Sequence, residues 1–462
     1  MPVPERLDPP RLNIIGAGLA GCEAAWQAAS LGVRVGLFEM KPDRMTPAHR
    51  QEYFAELVCS NSFRAASLEN AVGLLKEEMQ LLDSLVMRCA MAARVPAGGA
   101  LAVDRDAFSM MITRMIREHP LIFTHSKEIF RMDELSEDVP LIIATGPLTA
   151  DALSHDIADR LGSEQLHFFD AAAPVLYADS IDMSTAFRAS RYGKGGDDYI
   201  NCPMDREQYL AFYQELIKAE AVEFRGFEHA SVFEGCMPVE SMAVRGVDTL
   251  RFGPMKPVGL QDPKTGKEPH AVVQLRQDDH AATLYNIVGF QTHLLKREQQ
   301  RVFRMIPGLQ KAEFARYGAM HRNTYIQSPG RLDASYRLME PYARGKTIYF
   351  AGQLTGVEGY VESTASGLAA GIHAALGMLG GSIEFMPHTA IGALARYISD
   401  SSIRDFQPMN INYGIIQPMH PSDPRARKAK KDRKMQTAEN SLNTIRDIRD
   451  KLVHYKKYNS SE

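Results

Sequence analysis

The hydrophobic pattern opens with Leu12, Ile14 and Ile15, a short apolar run of the kind expected of a strand buried in a parallel sheet. Gly16-Ala17-Gly18-Leu19-Ala20-Gly21 then turns the chain into an alanine-rich helix, which Gly32 stops where a left-handed residue is wanted. Val33, Val35, Leu37 and Phe38 read as a second strand that ends at Glu39. Leu74, Leu75, Met79, Leu82, Leu85, Val86 and Cys89 recur at helical spacing, which puts Cys89 in a core. Asp104 or Asp106 can cap an amphipathic helix with Phe108, Ile112 and Met115 inward. Residues 122–124 and 141–147 predict two further strands, the second a continuous apolar run ending in Thr145-Gly146.

From about residue 150 the apolar runs shorten, and aromatics and prolines intersperse, as in residues 168–174. Residues 205–217 predict a helix, and 252–260, 271–276 and 284–289 a mixed β region. We read this stretch as a second domain inserted into the first. The first pattern resumes near residue 347 with an aromatic-aliphatic strand, Ala351-Gly352-Gln353, further glycines, and a small-residue helix over 365–379. The expected division is 11–149 for the first part of the main domain and 150–327 for the insertion. The second part takes 328–420, and a basic C-terminal segment 421–462. In that segment seven of the ten residues 425–434 are Lys or Arg, and a charged helix follows.

Composition narrows the class. A chain of 462 residues, 45% hydrophobic, can bury a large core in two or more domains. A formal charge of −3 excludes a globally basic nucleic-acid binder but allows a local basic patch. No apolar run reaches bilayer length and no signal-peptide pattern opens the sequence, so no membrane association is expected. The five cysteines are scattered and without CxxC spacing; they fit neither a disulfide framework nor a zinc site, and a reducing cytoplasm is the natural reading.

The candidate chemistry starts at the glycine turn. Gly16 suits the tight turn, Gly18 lets a pyrophosphate approach the backbone, and Gly21 lets helix and strand pack closely. The pyrophosphate would sit on the helix N-terminus, with Ala17, Leu19 and Ala20 around it, and Glu39 would accept from a ribose hydroxyl. The second glycine motif, with Gly352, Gln353, Gly359 and Tyr360, gives two strand ends facing one extended cofactor, which suggests FAD more than NAD. The proline-rich loop 40–49 either lines that cofactor or caps the domain. Cys59 sits among small hydrogen-bonding residues with Arg64 nearby, a setting that suits a nucleophilic thiol or an inconsequential loop cysteine. Cys236 lies in a Gly/Pro-bounded turn between Glu234 and Glu240, which favours proton transfer over a resting thiolate. Cys22, Cys89 and Cys202 read as packing residues. The polar, aromatic stretch 316–325 fits a ligand surface at the domain junction or a satisfied buried network. The basic run fits a solvated face or a phosphate-contacting patch.

Together the motifs IIGAGLAGCEAAWQ, ELVCSNSFR, PAGGALAVDRDAFS, FEGCMPVE, MHRNTYI and AGQLTGVEGYVESTASGLAAG resemble the folate- and FAD-dependent tRNA (uracil-5-)-methyltransferases, the TrmFO family. The match runs in order over nearly the whole chain; GAGLAG alone would select many flavoproteins, whereas ELVCSNSF with FEGCMPVE is far more specific. The resemblance implies a glutathione-reductase-like, Rossmann-type α/β FAD domain interrupted by a smaller mixed α/β insertion domain. It also implies formation of 5-methyluridine at the T-loop uridine (position 54) of tRNA, with 5,10-methylenetetrahydrofolate as carbon donor and NADH or NADPH reducing the FAD. The family's two functional cysteines carry over to Cys59 and Cys236; their neighbours favour Cys59 as nucleophile and Cys236 as acid/base, and the reverse assignment is the alternative. His321, Arg322, Asn323 and Tyr360 are candidates for a folate-facing wall. Residues 294–299 are less like the family than their surroundings, and the basic tail is longer than usual, which leaves the substrate open. The same chemistry on a ribosomal RNA uridine, modification of a wobble uridine, and a non-catalytic flavin-bearing RNA binder are the rival readings.

Overall fold

The computed structural model describes residues 11–135, 138–162, 166–193, 195–222, 237–419 and 430–459. β1 (Arg11–Ile15) runs into α1 (Leu19–Ser30), and β2 (Arg34–Glu39) returns parallel to it, with Leu12 opposite Val35 and Ile14 opposite Leu37. Next come β3 (Ser62–Ala65), α2 (Ala71–Leu81), α3 (Leu85–Ala92), β4 (Arg94–Val95) and β5 (Ala100–Val103), whose strands form a small antiparallel sheet. α4 (Arg105–Glu118), β6 (Ile122–Ser126), β7 (Leu141–Ile143) and α5 (Asp151–Leu161) complete this first part.

The second body is built on β8 (Leu166–Ala171), β9 (Val175–Tyr177), β10 (Phe187–Arg188), β11 (Tyr199–Met204) and α6 (Arg206–Lys218). It continues with α7 (Val239–Val244), α8 (Thr249–Phe252), β12 (Ala271–Gln277), β13 (Leu284–Ile287), α9 (Lys296–Phe303), β14 (Phe314–Arg316) and β15 (Met320–Tyr325). The chain then returns through β16 (Ile348–Phe350), α10 (Tyr360–Met378), α11 (Ala390–Ser399) and α12 (Lys430–Asn459).

The main sheet is parallel, in the order β16-β7-β1-β2-β6, the doubly wound arrangement of a Rossmann-type domain. Past Arg11, the strands β1, β7 and β16 are buried on both faces, whereas the edge strand β6 leaves Phe123, His125 and Ser126 exposed. A six-stranded sheet, β10-β11-β12-β13-β9-β14, carries the second body and its separate core. α5 buries Leu153, Ile157 and Leu161 in the first core, so that core extends past the division expected at residue 150. No helix among the described residues is long and apolar enough to cross a membrane.

Two expectations change. The apolar recurrence from Leu74 to Cys89 is cut into α2 and α3: Asp83 is left-handed at φ 60°, and the Ser84 hydroxyl accepts from Met87 N at 3.2 Å, restarting the helix. The spacing survives because both helices face one core, where Cys89 is fully buried. Residues 252–260, expected as β, hold the end of α8 and turns, because Pro254 and Pro257 lack the donors a ladder needs. Asp104 is the cap of α4, accepting from Ala107 N at 2.9 Å.

Candidate active site

The carboxyl ends of β1, β7 and β16 meet at one cleft. Gly16 makes the turn out of β1 at φ 98°, and a Cβ there would lie 2.6 Å from Ala144 O. A Cβ on Gly21 would lie 1.8 Å from Gly16 O, so only glycine lets α1 start this close to β1. A Cβ on Gly18 would meet nothing within 4 Å, so this position leaves backbone open to the cleft. No side chain caps α1 at Gly18, and its first N–H groups are available to an anion. Glu39 closes the turn, accepting from Ala17 N at 2.8 Å and Lys41 N at 3.1 Å. Gly352 and Gln353 face it from the end of β16. An extended dinucleotide fits this cradle, which offers a helix N-terminus, an acid at the second strand end and a second glycine turn opposite.

The Cys59 loop borders the cleft. Val58 and Tyr360 line the cavity, and the Tyr360 hydroxyl accepts from Cys59 N at 2.9 Å and Ser60 N at 3.2 Å. Burial pushes the Tyr360 phenol well above its ordinary range, so it stays neutral. Cys59 Sγ lies 3.6 Å from Ala171 O, at the junction with the second body. Behind the loop, Arg105 donates to Leu57 O at 2.6 Å and pairs with Asp278 through Nε at 3.0 Å. Burial pulls the Arg105 pKa down, but the Asp278 carboxylate together with Tyr360 and Cys59 opposes it, and the net shift is upward. Arg276 donates through Nε to Asn61 Oδ1 at 2.9 Å and through Nη2 to Ser60 Oγ at 2.8 Å, and burial lowers its pKa. Both guanidinium groups interact electrostatically with Cys59. Arg64, left-handed at φ 62°, pairs with the buried Glu362 of α10, and Lys76 Nζ holds the carbonyls of Phe63, Arg64 and Ala65.

The family model for glucose inhibited division protein A matches residues 11–382. A relative from Acetivibrio thermocellus is 61% identical over 407 residues, covering 88% of this chain and 92% of its own. It is named methylenetetrahydrofolate--tRNA-(uracil-5-)-methyltransferase TrmFO, as is one from Desulfitobacterium hafniense at 56% identity, covering 88% of this chain and 92% of its own. This chain belongs to the TrmFO family. Among solved structures, GidA from Aquifex aeolicus shares the fold with a TM-score of 0.70 at 15% identity, covering 97% of this chain and 74% of that one.

Of the residues expected to hold a cofactor in a TrmFO-family chain, Gly16, Ala17, Gly18, Leu19, Ala20, Glu39, Gly352, Gln353 and Tyr360 all line the cleft. Gly21 and Gly359 stand behind it. Gly359, at φ 107°, packs against Glu362 and Arg64 at the start of α10. The loop 40–49 lines the cleft with Met40, Lys41, Thr46 and His49. Asn323 is buried in β15, whose backbone pairs with β8; the side chains of His321 and Arg322 lie outside what is described. Cys236 also lies outside the described residues, as do residues 425–429 of the basic run. Within the described part of that run, Lys431 pairs with Glu69 at 2.6 Å, and Lys434 donates to Glu69 O at 2.9 Å. Sequence reading missed Asn61, Arg105, Arg276 and Asp278, because none carries a local signature and each acts through a partner distant in the chain.

Proposed function

We propose that this protein transfers the one-carbon unit of 5,10-methylenetetrahydrofolate to C5 of the T-loop uridine (position 54) of tRNA, giving 5-methyluridine. FAD would be held by the glycine turn, the α1 N-terminus, Glu39 and the Gly352-Gln353 turn. When bound, it supplies reduction of the carbon to a methyl group, with electrons drawn from NADH or NADPH. The observation that carries the reading is a thiol, Cys59, fixed at the edge of a dinucleotide cleft in a chain 61% identical to a named TrmFO methyltransferase.

C5 of uracil is a poor nucleophile until a group adds at C6 and pushes electrons into the ring. The Cys59 sulfur would form that bond, and Tyr360, Arg105 and Arg276 keep its loop in place while it does. A base must then take the C5 proton so that the C6–S bond can break, and Cys236 is assigned this role. The target base would leave its stack to reach the sulfur. The test is incubation of purified protein with unmodified tRNA, labelled methylenetetrahydrofolate and reduced nicotinamide. Folate-derived label in 5-methyluridine of the T arm is expected, lost in Cys59→Ala and Cys236→Ala. Label confined to ribosomal RNA or to a wobble uridine would overturn the assignment of substrate.

A further inference from the structure

One face of the six-stranded sheet looks onto the Cys59 loop, and it is polar. Arg276 on β12 stands opposite Asn286 on β13, Asn286 opposite Val175 on β9, and Val175 opposite Arg316 on β14. Residues paired across strands share a face. Their neighbours along the strands, Leu275, Tyr285 and Ile287, point the other way into the second core. Arg276 shows where the polar face looks, because its side chain ends on Ser60 and Asn61.

The next two polar members of the row have no such partners. Asn286 is 3% exposed, and its Nδ2 makes no hydrogen bond. A buried amide left this way costs about 1–3 kcal/mol, a cost that a ligand acceptor would remove. The Arg316 guanidinium is half-buried and has no hydrogen-bond or ion-pair partner among the described residues. It interacts electrostatically with Arg105 and Asp278 behind the loop and with Arg50 and Glu56 towards the cleft, which places it on the same side as Cys59. Burial lowers its pKa, as expected for a cation held without a counter-ion. With strands about 4.8 Å apart, Asn286 and Arg316 stand roughly 10 Å from each other, with the apolar Val175 between them.

We propose that Asn286 and Arg316 form the wall that receives the nucleotide attacked by Cys59, Asn286 donating to a carbonyl oxygen of the base and Arg316 to a phosphate of the RNA strand. This rests on the function proposed above and adds the residues that hold the RNA. A neutral donor at the buried end and a cation nearer the cleft suit a ligand with a neutral acceptor at one end and an anion at the other. The row continues from the arginine that holds the loop of the attacking sulfur, which favours the nucleotide over the folate as occupant.

Direct binding of a T-arm RNA hairpin, followed by fluorescence anisotropy over a range of salt concentrations, tests this without requiring turnover. Arg316→Gln should weaken binding roughly tenfold and reduce the slope of log K against log salt by about 1, with Arg316→Lys largely rescuing both. Asn286→Ala should lower kcat/KM for RNA at least fivefold, leaving the KM for folate and the visible flavin spectrum unchanged. Unchanged RNA affinity and salt slope in Arg316→Gln overturns the proposal. So does a raised folate KM with RNA binding intact, which would make the wall a folate site. Wild-type protein that binds the hairpin with this salt dependence but never methylates it would sink the proposed reaction and leave the wall standing; failure to bind RNA at all sinks both.

Discussion

Tyr360 joins the cleft to the thiol, since one ring lines the cavity and its hydroxyl takes two backbone N–H groups of the Cys59 loop. Tyr360→Phe keeps the ring and strands both donors, a cost of about 1–3 kcal/mol concentrated at the loop. We expect the flavin absorbance to persist while turnover falls at least tenfold and Cys59 alkylation changes rate; unchanged kinetics would remove Tyr360 from this role. Residues of this kind divide by how far their partners lie along the chain. Glu39 stood out because it ends the strand after the glycine turn, but its hydrogen bond from Ala17 N, which closes that turn, was not foreseen. Arg105 and Arg276 did not stand out, because Asp278 lies 173 positions from the first and Asn61 215 from the second. Cys59 could be read as reactive from its neighbours, but the groups that hold its loop could not.

Helix contacts carry the next level. α1 and α10 approach so closely that a Cβ on Gly367 would lie 2.2 Å from Ala20 O, and one on Gly371 2.5 Å from Ala24 O. The small-residue texture of both helices was visible in the sequence, but that they face each other was not. Gly367→Ala must push α10 off α1 at the turn where Ala20 lines the cleft, which costs about 1–3 kcal/mol. A lower thermal midpoint together with reduced flavin retention on gel filtration is the expected signature. Farther from the cleft, Glu78 of α2 ties together the two last helices, accepting from Ala390 N at 2.6 Å, Ile391 N at 2.9 Å and the Ser441 hydroxyl. Burial pushes its carboxyl up to about 7, with those hydrogen bonds opposing the rise. A carboxyl raised above its unfolded value contributes stability that is complete below about pH 4.5 and is lost as pH climbs through 7. Wild-type stability should therefore fall by up to about 3 kcal/mol between those limits relative to Glu78→Gln, read from urea midpoints across that range.

The two bodies of the molecule are coupled at the Cys59 loop. Arg105 comes from the first, Asp278 from the second, and both are almost fully buried, at 5% and 3% exposure. Arg105 also donates to Leu57 O and Cys59 O, so the pair fixes the loop and the domain orientation with the same atoms. Two cores were readable from the change in hydrophobic texture, but this joint was not, because a single charged residue at a helix start or just past a strand looks like surface. Asp278→Ala leaves a buried guanidinium without its counter-ion, a loss of about 3–5 kcal/mol. Replacing both partners with apolar residues, Arg105→Met with Asp278→Leu, removes the isolated charge and should recover most of that stability. It should not recover turnover, because the carbonyls of Leu57 and Cys59 then lose the donor that sets the loop. Thermal midpoints that recover in the double variant while methylation stays at least tenfold down would show that the pair serves the position of the sulfur more than the stability of the fold; recovery of both would reduce it to a structural ion pair.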